Sequence, residues 1–289
     1  MPGTPRRAEF ARSRAALRAW FDPRREAYPW RRSRDPYRVL VSELMLQQTQ
    51  ASRVVPAYSA FLRRYPDVRS LARASRREVL LAWDGLGYNR RAVALSEAAR
   101  TIVRDHAGHI PADVPTLRDL PGVGPYTAAA VASIAYGTPV AAIDTNVRRI
   151  AGRVFDGADD ATPARVRELA DAWLDPNDPG AWNEALMDLG REVCRPQPRC
   201  DICPLRRSCA FVATGARPMG PRRRQGPFEG SFRQVRGAVV RALRTREAAS
   251  LEELTTITGL DAERVAEAVR RLTAEGLLET RRSHVRLSH

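Results

Sequence analysis

The stretch Leu120-Pro121-Gly122-Val123-Gly124-Pro125-Tyr126-Thr127 reads as a tight hairpin that delivers the chain into a helix. Two glycines bracket one apolar residue, and Pro125 suits the first turn of the helix that follows. That helix runs through Ala128 to Tyr136 and stops at Gly137 and Pro139. Backbone N–H groups at such a start have no partner inside the helix, so Gly122 and Gly124 present a seat for an anion such as a phosphate. An ordinary helix–helix corner has the same Gly-x-Gly signature, so the turn has to be weighed with its surroundings.

Helical spacing of apolar residues extends outward from that turn, over Arg76 to Trp83, Arg90 to Asp105, Tyr126 to Tyr136 and Pro163 to Leu174. Little period-2 alternation interrupts it between Ala8 and Ala210, so the fold class expected is all-α. A length of 289 residues leaves room for two domains at roughly 150 residues each. Residues 1–212 form the expected helical domain. Residues 213–231 gather Gly, Pro and Arg, with the run Pro221-Arg222-Arg223-Arg224, and read as a basic linker. It lies either along a phosphate backbone or in solvent. Residues 232–289 read as a small separate module, with helices over Arg233 to Arg244, Leu251 to Ile257 and Asp261 to Glu275. A hairpin over Leu277 to Ser288 follows, a pattern that resembles a winged helix. Arg264, Arg270 and Arg271 on its third helix are either a DNA contact or a solvated face, and the module takes either DNA or a protein as partner.

Basic residues number 48 against 33 acidic, a net charge of +15, which favours a polyanionic partner, with nucleic acid the usual one. A balance of 44% hydrophobic and 28% charged residues excludes wholesale disorder. Every one of the 48 basic residues is arginine; the chain contains no lysine. Met1 to Arg25 lacks the apolar core of a secretion signal, and the longest apolar run, Ala128 to Ile143, is broken by Gly137 and Pro139. The expectation is a cytoplasmic protein with no membrane partner.

The four cysteines, Cys194, Cys200, Cys203 and Cys209, form a C-x5-C-x2-C-x5-C cluster within sixteen residues. Clustering of all the chain's cysteines in a cytoplasmic protein points to a metal site rather than to disulfides. Zinc sites of four cysteines usually come as two separated C-x2-C knuckles, and only the middle pair here has that spacing. A loop wrapped on a [4Fe–4S] cluster fits the spacing better, with zinc the alternative.

Two carboxylates stand out. On a helix through Pro36 to Gln50, the neighbours of Glu43 at three and four positions are Val39, Leu40, Leu46 and Gln47, so Glu43 points into an apolar face. Desolvation there makes it a usable general acid near neutrality, unless it is a buried partner of an arginine. Asp144 directly follows Val140 to Ile143 and reads as an N-cap, partly buried, with the helix dipole keeping it ionised.

Taken together, S-E-L-M-L-Q-Q-T-Q (42–50), L-P-G-V-G-P-Y-T-A (120–128), Asp144 and the cysteine loop resemble the helix–hairpin–helix DNA glycosylases, most closely the adenine DNA glycosylase family. Y-P-W-R (28–31), G-L-G-Y (85–88) and N-E-A-L-M-D-L-G (183–190) add to the match, which covers about residues 8–212. The resemblance implies a two-lobed core with the active site in the cleft, a [4Fe–4S] cofactor, and base excision repair of adenine mispaired with 8-oxoguanine or guanine. It implies Glu43 as the acid that protonates adenine and Asp144 as the anion that stabilises the sugar cation. Tyr126 and Asn146 position these groups and a water. Gln48, Leu86 and Tyr88 match positions that wedge into the base stack, while Trp30 and Arg31 match the base pocket. The partner implied is double-stranded DNA with a mispaired adenine, bound by a monomer.

Related endonuclease III-type enzymes carry a nucleophilic lysine at the hairpin position. Here it is Tyr126 in a chain without lysine, so the expectation is a monofunctional enzyme that leaves an abasic site. The chain departs from the family in its first cysteine gap, in Asn89, in Asp188 where Glu is common, and in lacking the large β-rich C-terminal domain. A thymine or uracil mismatch glycosylase and a non-catalytic iron–sulfur DNA-binding regulator are the competing readings.

Overall fold

A computed structural model describes residues 7–25, 28–219 and 226–288. The run Arg222 to Arg224 lies outside the described residues. The chain forms two compact units, residues 1–43 with 110–222 and residues 44–109 with 223–289. Both are dominated by helices, as the sequence periodicity requires, and the helix over Arg90–Asp105 has the bounds read from sequence.

The first unit is built on a core of Phe10, Leu17 and Phe21 from the Arg7–Phe21 helix, packed with Ile150, Leu169, Trp173, Trp182, Leu186 and Leu189. Trp173 meets Trp182 edge-on at 5.1 Å, and its Nε1 donates to Ser13 Oγ at 2.8 Å, which satisfies the one polar atom of a buried ring. Three segments of this unit converge through buried Asn183 in the Pro179–Glu192 helix. Its Nδ2 donates to Ser133 Oγ at 2.9 Å and Val140 O at 3.0 Å, and its Oδ1 accepts from Ala142 N at 3.1 Å. The extended stretch that leads to Asp144 is thereby fixed to the Pro125–Tyr136 helix.

In the second unit, buried Arg91 donates to the carbonyls of Leu44 and Met45, both at 2.8 Å. A guanidinium there satisfies carbonyls at the C-terminal end of the Pro36–Leu46 helix, which have no intrahelical donor. The C-terminal residues of this unit form helices Phe232–Arg244, Leu251–Thr258 and Ala262–Ala274. Strands β1 (Ala249–Ser250), β2 (Leu278–Arg281) and β3 (His284–Leu287) make a sheet of order β1-β3-β2, all antiparallel. Arg281 faces His284 across a two-residue turn in which Arg282 and Ser283 have φ of 47° and 69°, the backbone of a tight hairpin. The two-residue β1 was not legible as a strand. On the third helix Arg270 and Arg271 both pair with Glu267, and Arg264 donates to Gly230 O, so these arginines are a partly self-neutralised face.

Candidate active site and cysteine loop

Glu43 lies in the last turns of the Pro36–Leu46 helix and is 5% exposed. Burial pushes its carboxyl up to about 7; the Tyr126 hydroxyl and the Arg31 charge oppose this, and the charge of Asp144 adds to it. The hydroxyl of Tyr126 is hydrogen bonded to Glu43 and lies 3.1 Å from Met187 Sδ, so its one proton serves either the carboxyl or the thioether. Burial, then the nearby Glu43 and Asp144 charges, raise the Tyr126 phenol well above its ordinary value, so it remains a neutral donor. The hairpin that delivers Tyr126 turns at Gly122, φ 77°, a conformation that favours glycine. Gly124 is the N-cap and Pro125 the first helical residue, as the sequence pattern demands.

Asp144 caps the Thr145–Ala151 helix and accepts from Val147 N at 2.8 Å and Asn146 Nδ2 at 2.7 Å. Burial raises its pKa, and the donors from Val147 and Asn146 hold that rise in check. Environment therefore separates the two carboxyls, one made a proton donor near neutrality and one surrounded by hydrogen-bond donors. Asn146 is fixed in turn by Arg149, whose Nη2 donates to its Oδ1 at 2.8 Å and to Gly190 O at 2.9 Å. A Cβ on Gly190 would stand 2.4 Å from the Cβ of Asn146, so only glycine leaves room for Asn146.

Arg31 forks onto Asp188, with Nη1 to Oδ2 at 2.6 Å and Nη2 to Oδ1 at 2.8 Å, a bidentate pair that fixes both side chains. Arg191 also donates to Asp188, so this carboxylate is buried and fully engaged. Trp30 is buried and stacks on Tyr28 with ring centres 4.8 Å apart. Sequence reasoning did not single out Glu184, one helical turn before Asp188. It is buried, lies 3.6 Å from Arg31 Nε, and burial pushes it to about 7, with the neighbouring Arg31 opposing. The i,i+4 spacing from Asp188 was its available signal. In the other unit Gln48 and Tyr88 are exposed and have φ of 54° and 46°, whereas Leu86 is buried and packs inward.

All four cysteines line one small apolar pocket with Ile150, Val154, Leu189, Leu205 and Phe211 among its walls. Burial pushes the Cys203 thiol up to about 12 and raises Cys194 and Cys209, so these thiols ionise only where a bound metal supplies positive charge. Among the described residues no three Cys, His, Asp or Glu gather as ligands of a single ion. An apolar cavity with a sulfur donor from each of four positions fits a larger, thiolate-held group such as an iron–sulfur cluster. Arg153 braces the loop from beneath. It donates to Arg195 O at 2.7 Å and Pro196 O at 3.0 Å, approaches Cys194 Sγ at 3.8 Å, and pairs with Asp159 at 2.5 Å. Asp159 in turn accepts from Met219 N at 2.9 Å, which ties down the chain beyond the last cysteine. No helix among the described residues is long and apolar enough to cross a membrane.

Residues 41–176 match the family of HhH-GPD superfamily base excision DNA repair proteins, and residues 233–289 match the HemN C-terminal domain. An adenine DNA glycosylase of Mycolicibacterium smegmatis is 46% identical over 233 residues, spanning 79% of this chain and 79% of its own length. The adenine DNA glycosylase of Homo sapiens is 42% identical over 216 residues, 70% of this chain and 40% of that one. Among solved structures, a thermostable thymine-DNA glycosylase superposes with a TM-score of 0.67 at 29% identity, covering 72% of this chain and 98% of that chain. A trapped endonuclease III–DNA covalent intermediate gives 0.63 at 21% identity, over 73% and 99% of the two chains, and so shares the fold. A buried acid bonded to the hairpin tyrosine, a capping aspartate beside it and relatives of this closeness give one result: the chain belongs to the adenine DNA glycosylases of the HhH-GPD superfamily.

Proposed function

We propose that this protein excises adenine mispaired with 8-oxoguanine or guanine from duplex DNA, hydrolysing the N-glycosidic bond and leaving an abasic site. The observation that carries the reading is the Glu43 carboxyl, held near 7 by burial and hydrogen bonded to Tyr126. Adenine leaves poorly as an anion, so a ring nitrogen must take a proton as the bond breaks. A carboxylic acid still protonated near neutral pH is the group for that step. As the base departs, positive charge develops on the sugar, and Asp144 is the anion that stabilises it, in the two-carboxylate logic of glycoside hydrolysis. Asn146 and Tyr126 orient the two carboxyls and the attacking water. The chain holds no lysine, so no Schiff base forms with a lysine and the strand is left intact.

The reacting base must leave the stack, and Gln48 and Tyr88, exposed on strained backbone, are the residues we assign to the stack, with Leu86 packed behind them. Trp30, Arg31, Glu184 and Asp188 line the base pocket, and the backbone N–H groups about Gly122 and Gly124 receive a DNA phosphate. Cys194, Cys200, Cys203 and Cys209 would hold a [4Fe–4S] cluster, which crosslinks the loop when bound. The protein acts as a monomer. Incubation with duplexes bearing A opposite 8-oxoguanine, A opposite G, T opposite G and U opposite G, followed by alkali, tests the reading. Cleavage at adenine alone supports it. Cleavage at thymine or uracil would replace it with a pyrimidine mismatch glycosylase.

A further inference from the structure

We propose that the C-terminal module buttresses the Gly85–Tyr88 loop and that Arg244 is the positioning residue through which it acts. The Arg76–Ala82 and Phe232–Arg244 helices close each other's C-terminal ends. Arg77 donates to Leu243 O at 3.4 Å and Arg246 O at 3.2 Å, while Arg244 donates to Leu80 O at 3.3 Å. The last carbonyls of a helix lack internal donors and sit at the negative end of its dipole, so a guanidinium there is doubly favourable. Arg76 adds a third tie, donating to Gly276 O at 3.0 Å in the turn before β2.

A second partner makes Arg244 more than a docking contact. Its Nη1 pairs with the carboxylate of Asp84, and Asp84 Oδ1 also accepts from Gly85 N at 2.8 Å. Gly85 opens a loop in which Gly85, Gly87 and Tyr88 have φ of 78°, 68° and 46°. An aromatic residue keeps such a φ only where its surroundings impose it. Arg53 holds Gly85 O, Thr49 and Arg91 hold Leu86 O, and Trp83 Nε1 and Arg91 hold Gly87 O. Those donors fix the loop's carbonyls, and Asp84 fixes its first N–H. The Arg244 side chain is 13% exposed against 71% for Asp84, so a half-buried guanidinium, held also on the Leu80 carbonyl, anchors a carboxylate otherwise facing solvent.

The inference rests on the reading of Tyr88 as a residue that enters the base stack. Full-length protein is bound to a duplex with 2-aminopurine beside the target adenine, whose fluorescence reports unstacking, and melting temperatures are taken in parallel. Arg244→Ala is expected to weaken unstacking about fivefold, the scale of losing one partly exposed ion pair, with Arg244→Lys restoring part of it. Arg76→Ala cuts a tie of the module without touching Asp84, and is expected to lower the melting temperature while leaving unstacking as in the parent. Equal losses in Arg244→Ala and Arg76→Ala would overturn the role given to Arg244. Loss in Tyr88→Ala with none in Arg244→Ala would overturn the buttress alone. Full unstacking by Tyr88→Ala would bring down the reading of Tyr88 and the buttress with it.

Discussion

Arg149 joins Asn146 to Cys194: its Nη2 donates to Asn146 Oδ1 at 2.8 Å and its Nε to the Cys194 carbonyl at 2.7 Å. Since Asn146 also donates to Asp144 at 2.7 Å, three hydrogen bonds connect the capping carboxylate to the first cysteine. The guanidinium is planar and forked, so it sets Asn146 relative to the loop in a way lysine would not.

Arg149→Gln is therefore expected to slow single-turnover excision about 10- to 100-fold, the usual cost of losing a group that orients a reactive residue. Absorbance of the cysteine-bound group should change little, because the four sulfurs are untouched. A variant with full activity would mean that Asn146 holds its place unaided.

Glu43→Gln is expected to abolish excision and to stabilise the fold at alkaline pH. The folded-state value of about 7 lies above the ordinary 4.5, so the protonated acid favours the folded chain. That contribution is present below pH 4.5 and is lost as pH rises through about 7, at a cost of about 3 kcal/mol once complete. The amide has no such loss. Its melting temperature should exceed that of the parent at pH 8 and match it at pH 4.5. Excision by the parent should fall above about pH 7, where the acid ionises.

The cysteine loop predicts a yellow-brown protein with broad absorbance near roughly 400 nm, general to thiolate-held iron–sulfur clusters. A colourless protein with one bound zinc would overturn the cluster. Arg153→Met leaves the half-buried Asp159 without its charged partner and the Arg195 and Pro196 carbonyls without a donor, so a loss of about 1–3 kcal/mol of stability is expected. The coloured group should be released on mild heating well before it leaves the parent, since Arg153 braces Arg195 and Pro196 in the loop.

Gly190→Ala should cost activity more than stability. The added methyl group meets Asn146, so either Asn146 or the helix that carries residue 190 must shift, and a displaced Asn146 loses its hold on Asp144. Overpacking of this kind costs about 1–3 kcal/mol, a modest fall in melting temperature. Single-turnover excision should drop at least as far as in Arg149→Gln. Equal activity would mean the helix shifts and Asn146 does not.

Sequence alone determined what neighbours along the chain decide. Pro125 at a helix start, Asp144 as an N-cap, the apolar face around Glu43 and the grouping of four cysteines are local, and each was legible because its partners lie within a few residues. The absence of lysine removed one chemistry outright. Tertiary structure decided the rest. Glu184 meets Arg31 because packing turns its helix face that way, and Arg149 reaches a carbonyl 45 residues away. Arg264, Arg270 and Arg271 read in sequence as either a DNA contact or a solvated face, and only folding shows that Glu267 and the Gly230 carbonyl engage them. The C-terminal module, which sequence set apart, shares a compact unit with residues 44–109 through Arg76, Arg77 and Arg244. Arginine carries no mark of its partner in sequence: its long stem places five donors anywhere within reach, and only folding determines which carbonyl or carboxylate is there to accept them.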